Sequence, residues 1–568
     1  MARIRSKQSA LKTLSCKFGG MGKHTPLSPS GAEDMCNFRI LPNGALRVRS
    51  GYALKKHFAQ GSVRGFWEGS LEGTTLSFAV VNNTVYRLSS DGMTETAVGT
   101  INTGTENVHL FVYEDTLYLL DGKDIWNYSS SSNRFRKLEP YVPLFGYAWS
   151  PSSYGDINEE INLLTPRLRM HYYNSEGVSE FRLPYYADSV EIVRANGVVT
   201  TNYNFSRGSN KITFSSPPTV LEVGFTVALN EDVRASILAA QMSYIYTHNG
   251  MNQLFLWGKD PRLFYAKNVD DNMLSSCHVL YPNASSLYIG MDNVFFLGDD
   301  THPITTVCPL HESLLVFTSD RIWNLSFEEE EMQVTLASRD MGCSSLKGAI
   351  PYDNGVLTAT NGGIYHLKAS SSQPEDLSIE RISVGIDDKF PAAFTDNVHL
   401  VRNFAMGEIW MRDPADTTGE VWVWNTELKE WYRFSGVAAT LFFKNNNDIG
   451  FACGNDLFVF DRSNTTDNGS PINAYYKSAY LDFGVPDSIR RSMRAFLYTA
   501  PNKNDCEISF ETERREDVYQ LSTPLLETSP QLHDMRLFSH RHRFLRFTLS
   551  TSAKHVSEFY RLDIYSRP

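Results

Sequence analysis

Apolar and polar positions along the chain alternate with period two in short runs, and the runs come in pairs. An aliphatic-led strand, a short polar turn and a second strand of form aliphatic–aromatic–x–apolar are written seven times. The leading aliphatic and the aromatic of each copy are Leu76 and Tyr86, Leu117 and Trp126, Leu254 and Phe264, Leu314 and Trp323, Val356 and Tyr365, Ile409 and Trp422, and Ile449 and Phe458. Nine or ten positions separate the two in every copy but the Ile409 one, where the gap is longer. The turns hold Asp121-Gly122, Ser319-Asp320, Asn361-Gly362-Gly363 or Gly454-Asn455, residues that supply the positive φ a tight hairpin needs; the Leu254 copy carries Pro261 instead.

A two-stranded unit cannot hide both of its faces. Successive aromatics are often about 40 residues apart, room for a four-stranded sheet, and radially repeated sheets with an aromatic in each are the pattern of propeller blades. The expected fold is therefore all-β: a β-propeller of about seven blades, six or eight being open, with terminal blades closed by distant strands.

The step from Trp126 to Phe264 is about 100 residues longer than a blade and must hold an insertion. Within it, Arg167–Tyr172, Val190–Val193, Lys211–Phe214 and Leu221–Val223 alternate as strands and Asn196-Gly197 marks a turn, which predicts a small β-sandwich over 146–235. Val233–Tyr244 (VRASILAAQMSY) is the clearest helical stretch, rich in Ala, Leu, Gln and Met. The expected organisation is a basic N-terminal arm (1–33), propeller (34–145 and 236–462), the insertion, and, after the turn-rich Arg462–Pro471, a C-terminal β-sandwich (463–568).

Composition narrows the function classes. The chain has 568 residues and a formal charge of −11, from 53 Lys plus Arg against 64 Asp plus Glu, so a globally basic nucleic-acid binder is disfavoured. The longest apolar run, around Val437–Phe443, is far short of the ~20 residues a membrane helix needs. Met1–Leu14 lacks the apolar core of a secretory signal, so Sec export is not expected. Seven scattered cysteines (Cys16, Cys36, Cys277, Cys308, Cys343, Cys453, Cys506) with no C-x-x-C pair predict reduced, mostly buried thiols and neither a disulfide framework nor a zinc ribbon.

The search for chemistry returns little. There is no G-x-S-x-G elbow, H-E-x-x-H, Walker loop or G-x-G-x-x-G after a strand. His366 reads as a half-buried strand residue. The carboxylate pairs Asp270-Asp271, Asp299-Asp300 and Asp387-Asp388 read as solvated loop charges, since neighbours in a strand face opposite ways. His540-Arg541-His542 puts two imidazoles on one strand face, where a metal on a symmetry axis could collect them, against the plainer reading of a basic strand edge. Glu328–Glu331 reads as a solvated loop or as an acidic patch facing DNA or a basic neighbour. Arg3, Arg5, Lys7, Lys12, Lys17 and Lys23 precede the first acid, Glu33, so the arm is locally basic: a tail, or an arm docking on an acidic partner or DNA. No catalytic, cofactor-binding or metal-binding residue is assigned, and no cofactor is expected.

Asp34–Arg39 followed by Pro42-Asn43-Gly44-Ala45-Leu46-Arg47-Val48-Arg49-Ser50-Gly51-Tyr52 is a strand, an Asn-Gly turn and a return strand with Arg47 and Arg49 on one face. This segment resembles the opening of tail hub, or nozzle, proteins of short-tailed bacteriophages, the packaged-DNA stabilisation and tail tubular B type. Further similar stretches follow in order: Leu163–Pro166, Leu256-Trp257-Gly258 with Phe264-Tyr265, Pro303–Thr305 before Leu314–Phe317, Met341-Gly342-Cys343 before Gly362–Tyr365, Glu430-Trp431-Tyr432 and Leu481–Gly484. Together they span most of 34–490; the arm and the C-terminal sandwich depart from the pattern.

The resemblance implies a non-enzymatic structural protein of the virion tail, assembled in the host bacterial cytoplasm. It would be a homohexameric ring below the portal and adaptor, in contact with fibre or spike proteins, continuing the DNA channel and aiding genome retention and ejection without membrane insertion. A net-negative ring repels the phosphate backbone, so duplex DNA would pass through it transiently. A siphophage tail component could use the same pieces. The rivals are a carbohydrate-binding or glycan-degrading propeller (an adhesin or tail-associated enzyme), in which aromatics stack on sugars and a carboxylate pair hydrolyses a glycosidic bond, and an intracellular WD- or kelch-like scaffold, whose Gly-His and Trp-Asp signatures are missing.

Overall fold

The computed structural model describes residues 12–21, 31–90, 92, 94–151, 156–184, 186–328, 331–360, 362–369, 377–390, 394–416, 418–483, 489–501, 505–521, 530–537 and 541–567. The fold is all-β and of β-propeller type. Seven four-stranded antiparallel sheets occur among the described residues, and the chain divides into two compact units, 64–346 and 1–63 with 347–568.

The seven paired runs of the sequence are the second and third strands of these seven sheets. They are legible because the second strand is largely buried, the third mixes buried and half-buried positions, and the two are joined tightly; Leu314–Phe317 against Ile322–Leu325 is typical. The turn between them is often held by a side chain bonding the backbone just beyond it, as Asp121 Oδ1 accepts from the N–H groups of Lys123 and Asp124 at 2.9 and 2.7 Å. The most buried position of the repeat is not the aromatic. Val85, Ile125, Leu263, Ile322, Ile364, Val421 and Leu457, each just before it, are all at or below 1% exposure, whereas Tyr86, Trp323, Tyr365 and Phe458 are half-buried. Five of the aromatics share one register: Tyr86 opposes Ala79, Trp126 Leu119, Trp323 Val316, Tyr365 Thr358 and Phe458 Phe451.

Within the 64–346 unit the sheets run Val63–Leu71 to Glu95–Thr100, His109–Tyr113 to Arg134–Lys137, Met242–His248 to Val294–Phe296 and Thr306–Leu310 to Glu331–Ser338. The first strands of the last three are neighbours in turn, as propeller blades require, and His109 Nε2 meets Ser243 Oγ at 2.9 Å across one such junction. The insertion is a two-sheet sandwich. Leu144–Trp149, Arg167–Tyr173, Val220–Val227, Ala187–Ala195 and Val198–Val199 form one sheet, Glu180–Arg182, Lys211–Thr213 and Asn204–Ser206 the other, around Leu168, Tyr172, Phe181, Ile212 and Phe225.

Helix α1 (Glu231–Leu238) is shorter than the expected Val233–Tyr244 and starts earlier. Asn230 caps it, accepting from Asp232 and Val233, and Met242–His248 is a strand. Ser243-Tyr244-Ile245-Tyr246-Thr247 favours a strand, and Asn249-Gly250, both at positive φ, turns it back on Met251–Trp257; this overrides the helix propensity of Ala239–Met242. A second helix, α2 (Asp271–His278), lies where the sequence suggested a charged loop.

In the other unit the sheets begin at Ala349–Tyr352, His399–Asn403 and Leu441–Asn445, whose first strands are again neighbours. The Leu441–Asn445 sheet is completed by Tyr52–His57, with Tyr52 opposite Phe460: a strand from early in the chain closes a late blade. The C-terminal sandwich needs early strands too. Ala32–Cys36 pairs with Ser470–Ser478, and Phe38–Ile40 and Leu46–Val48 extend the sheet containing Glu558–Arg567 and Arg490–Thr499.

The expected boundaries at 33 and 463 are therefore not boundaries of the fold. Residues 12–21 of the expected arm are built in: Lys12–Cys16 pairs with Leu562–Ser566, and Phe18 packs edge-on against Tyr476 and Phe547. Arg3, Arg5, Lys7 and Lys23 lie outside the described residues.

Candidate functional site

The structure places most of the sequence candidates in ordinary packing and capping contacts. His366 is buried, its Nε2 donates to the Tyr352 carbonyl at 3.1 Å, and burial lowers its pKa. Asp270 is the N-cap of α2, accepting from Met273 N–H at 2.8 Å, with Asp271 in the first turn. Asp299 accepts from the N–H groups of Thr301 and His302, and the Thr301 hydroxyl heads the bonds that hold its carboxyl well below the usual range. Asp387 accepts from Ser383 Oγ at 2.6 Å and pairs with Arg381, while Asp388 is exposed. His542 is buried beside Ser492 Oγ at 3.1 Å, and His540 lies outside the described residues. Of the glutamate run, Glu329 and Glu330 lie outside them and Glu331 is exposed on its strand. All seven cysteines are free and all but Cys453 are buried. Among the described residues no group of three His, Cys, Asp or Glu is placed to hold a metal, and no helix is long and apolar enough to cross a membrane.

A dense polar network is built on the Asp34–Tyr52 segment. Asn37 leaves its strand at φ 58, a conformation Asn tolerates better than most residues. Its amide is fully used: Oδ1 accepts from Arg49 Nε and from Ser435 N–H, both at 2.9 Å, and Nδ2 donates to Ser435 Oγ and to the Asn473 carbonyl at 2.7 Å. Arg39 forms a fork with Glu408, Nε to Oε1 at 2.6 Å and Nη2 to Oε2 at 3.0 Å, with side-chain exposures of 6% and 1%. Arg49 forms a second fork, Nη1 and Nη2 to the two Asp467 oxygens at 2.8 and 2.6 Å, and also donates to the Ser435 carbonyl. Phe434 lies against both guanidinium groups. Gly51 passes so close to Thr466 that any Cβ would overlap its carbonyl, and its N–H donates to Asn464.

The arginines of these forks border an open cavity of about 180 Å³. Four arginines border it, Arg39, Arg47, Arg49 and Arg462, together with His555, and Met406 and Val556 add apolar surface. Arg47 and Arg49 do share this face, as the alternation implied, but they differ in state. Arg49 is buried and satisfied; Arg47 is half-buried, faces Glu558 across the strand pair, and its guanidinium has no hydrogen-bond or ion-pair partner among the described residues. Arg462 donates to the Ala405 carbonyl and meets no carboxylate among them. The sequence pattern indicated Arg47 and Arg49. It missed Arg462, His555 and the acids Glu408 and Asp467; a Glu one place before Ile409-Trp410, inside a blade strand, was the one available signal.

The 64–346 unit holds a larger open groove, about 710 Å³, with Glu72, Asp115, Asn127, Ser131, Arg136 and Asn283 among its walls.

Compared with known proteins, the chain matches no family model and no curated protein. Among solved structures it is similar to the AfRom2 CNH domain, at 7% identity and a TM-score of 0.37, covering 72% of this chain and 99% of that one. It is also similar to BBS1N, solved in complex with ARL6DN, at 10% identity and a TM-score of 0.25, covering 73% and 99%.

Proposed function

We propose that this chain is a non-enzymatic structural component of a bacteriophage tail, a nozzle or hub subunit that assembles as a ring, continues the DNA channel and aids genome retention and ejection. The observation that carries the reading is the role of the Asp34–Tyr52 segment. Its Asn37, Arg39, Arg49 and Gly51 are spent on fastening an early ribbon to strands hundreds of positions later, through two buried forks and a saturated amide. A part that must hold a channel against passing duplex benefits from such fastening, and a net charge of −11 disfavours non-specific phosphate binding over the surface as a whole.

The test is assembly and place. Purified full-length protein is expected to form closed rings, with six copies the expected number, by sedimentation and negative-stain imaging, and labelled protein to map to the tail of whole virions. A strictly monomeric chain that is absent from virions overturns the reading.

The second reading, glycan binding, has the polar 710 Å³ groove as its natural seat. Saturable binding on a glycan array, lost on Asn127→Ala or Asn283→Ala, would establish it in place of the first.

A further inference from the structure

We propose that the cavity bordered by Arg47, Arg462 and His555 binds a phosphate-type oxyanion, either free or as the phosphodiester of a nucleic acid. The argument is one of donors left over. The two carboxylates of the adjoining network are each consumed by a fork, Glu408 by Arg39 and Asp467 by Arg49. Arg47 then stands half-buried with five N–H donors and no acceptor hydrogen-bonded to them among the described residues, and Arg462 has one main-chain carbonyl. Taking a guanidinium partly out of water without giving it an acceptor costs free energy that an entering anion returns.

The shape of the donor set selects the ligand class. A carboxylate is satisfied by one arginine fork. Two arginines from different segments of chain, with exposed His555 bordering the same cavity, suit an anion that offers acceptors in several directions. About 180 Å³ leaves room for a tetrahedral anion and attendant water.

The inference goes beyond the tail reading and is measured separately from ring formation, so either can fail alone. Full-length protein is titrated with inorganic phosphate at fixed ionic strength, by calorimetry and by thermal midpoint. Saturable binding is expected. Arg47→Gln and Arg462→Gln should each weaken it roughly tenfold or more, as loss of a charge-assisted contact does, while Arg514→Gln, at an exposed turn outside the cavity, leaves it unchanged. Arg47→Lys keeps the charge without the fork and should fall between. Should Arg47→Gln not fold, Arg462→Gln carries the test.

Binding that does not saturate, or that is equal in wild type, Arg47→Gln and Arg462→Gln, overturns the proposal. A short DNA duplex separates the sources. Displacement of phosphate by duplex identifies a phosphodiester ligand; phosphate binding indifferent to duplex identifies the free anion. Either supports the site.

Discussion

Glu408 and Trp410 stand two positions apart on one face of a strand, and the Trp410 indole N–H donates to Glu408 Oε2 at 2.9 Å, the same oxygen that receives Arg39 Nη2. The carboxylate is thus held from both sides in a nearly dry setting. Removing it strands a buried guanidinium. Glu408→Ala should cost ~3–5 kcal/mol in chemical denaturation, and the double replacement Arg39→Met with Glu408→Met should cost far less than the two single changes added together, because the desolvation of both charges disappears with them. Additive losses in the double-mutant cycle would deny the pair its role.

Asn37 combines a left-handed backbone with four side-chain hydrogen bonds. Asn37→Ala should destabilise by about 3 kcal/mol or more, from unpaired Arg49 and Ser435 groups plus the φ penalty. Asn37→Gly removes the bonds but not the conformational ease, so it should be ~1 kcal/mol milder than Ala. Equal losses for Ala and Gly would mean that the backbone at 37 relaxes.

A pH dependence is expected from Lys347 and His399, which pair as an isolated parallel bridge beside the first strands of two neighbouring sheets. Burial pushes the Lys347 amine down to about 8, and burial with the Lys347 charge holds His399 well below its ordinary value. For both groups the unfolded chain binds the proton more readily. Stability should therefore rise as pH climbs from about 8 to 10.5 and the folded amine sheds its unfavourable charge. It should fall as pH drops below about 6.5, where the unfolded imidazole charges and the folded one does not. Lys347→Met should stabilise at pH 7 by ~1–3 kcal/mol and flatten the alkaline limb; His399→Leu should flatten the acid limb. Unfolding midpoints across pH read both, and an unchanged alkaline limb in Lys347→Met would count against the assignment.

The repeat predicts a contrast between adjacent residues. Ile364, 1% exposed, belongs to a dry core, whereas Tyr365 is half-buried and lies against Arg381. Ile364→Ala should cost ~2–5 kcal/mol and Tyr365→Ala about 1 kcal/mol. A larger loss at Tyr365 would restore the aromatic as the principal packing element of its sheet.

The chain itself, through period-two alternation and tight polar turns, determined the all-β class, the middle two strands of the seven four-stranded sheets and the position of the insertion. Those signals are local: each strand announces its own faces, whatever it later pairs with. Outer strands such as Arg134–Lys137 and Leu377–Arg381 were illegible because they are mostly exposed and read as polar loop. Helix α1 was misplaced for a related reason, since propensity is weak beside the pairing of Met242–His248 with Met251–Trp257.

Only the tertiary structure decided which distant pieces complete each sheet. Lys12–Cys16 finds Leu562–Ser566, and Tyr52–His57 finds Asp456–Phe460, through backbone hydrogen bonds that carry no residue-specific signal. It alone distinguished satisfied Arg49 from Arg47, whose guanidinium has no partner among the described residues, because a charge's state depends on acceptors that the fold brings from hundreds of positions away.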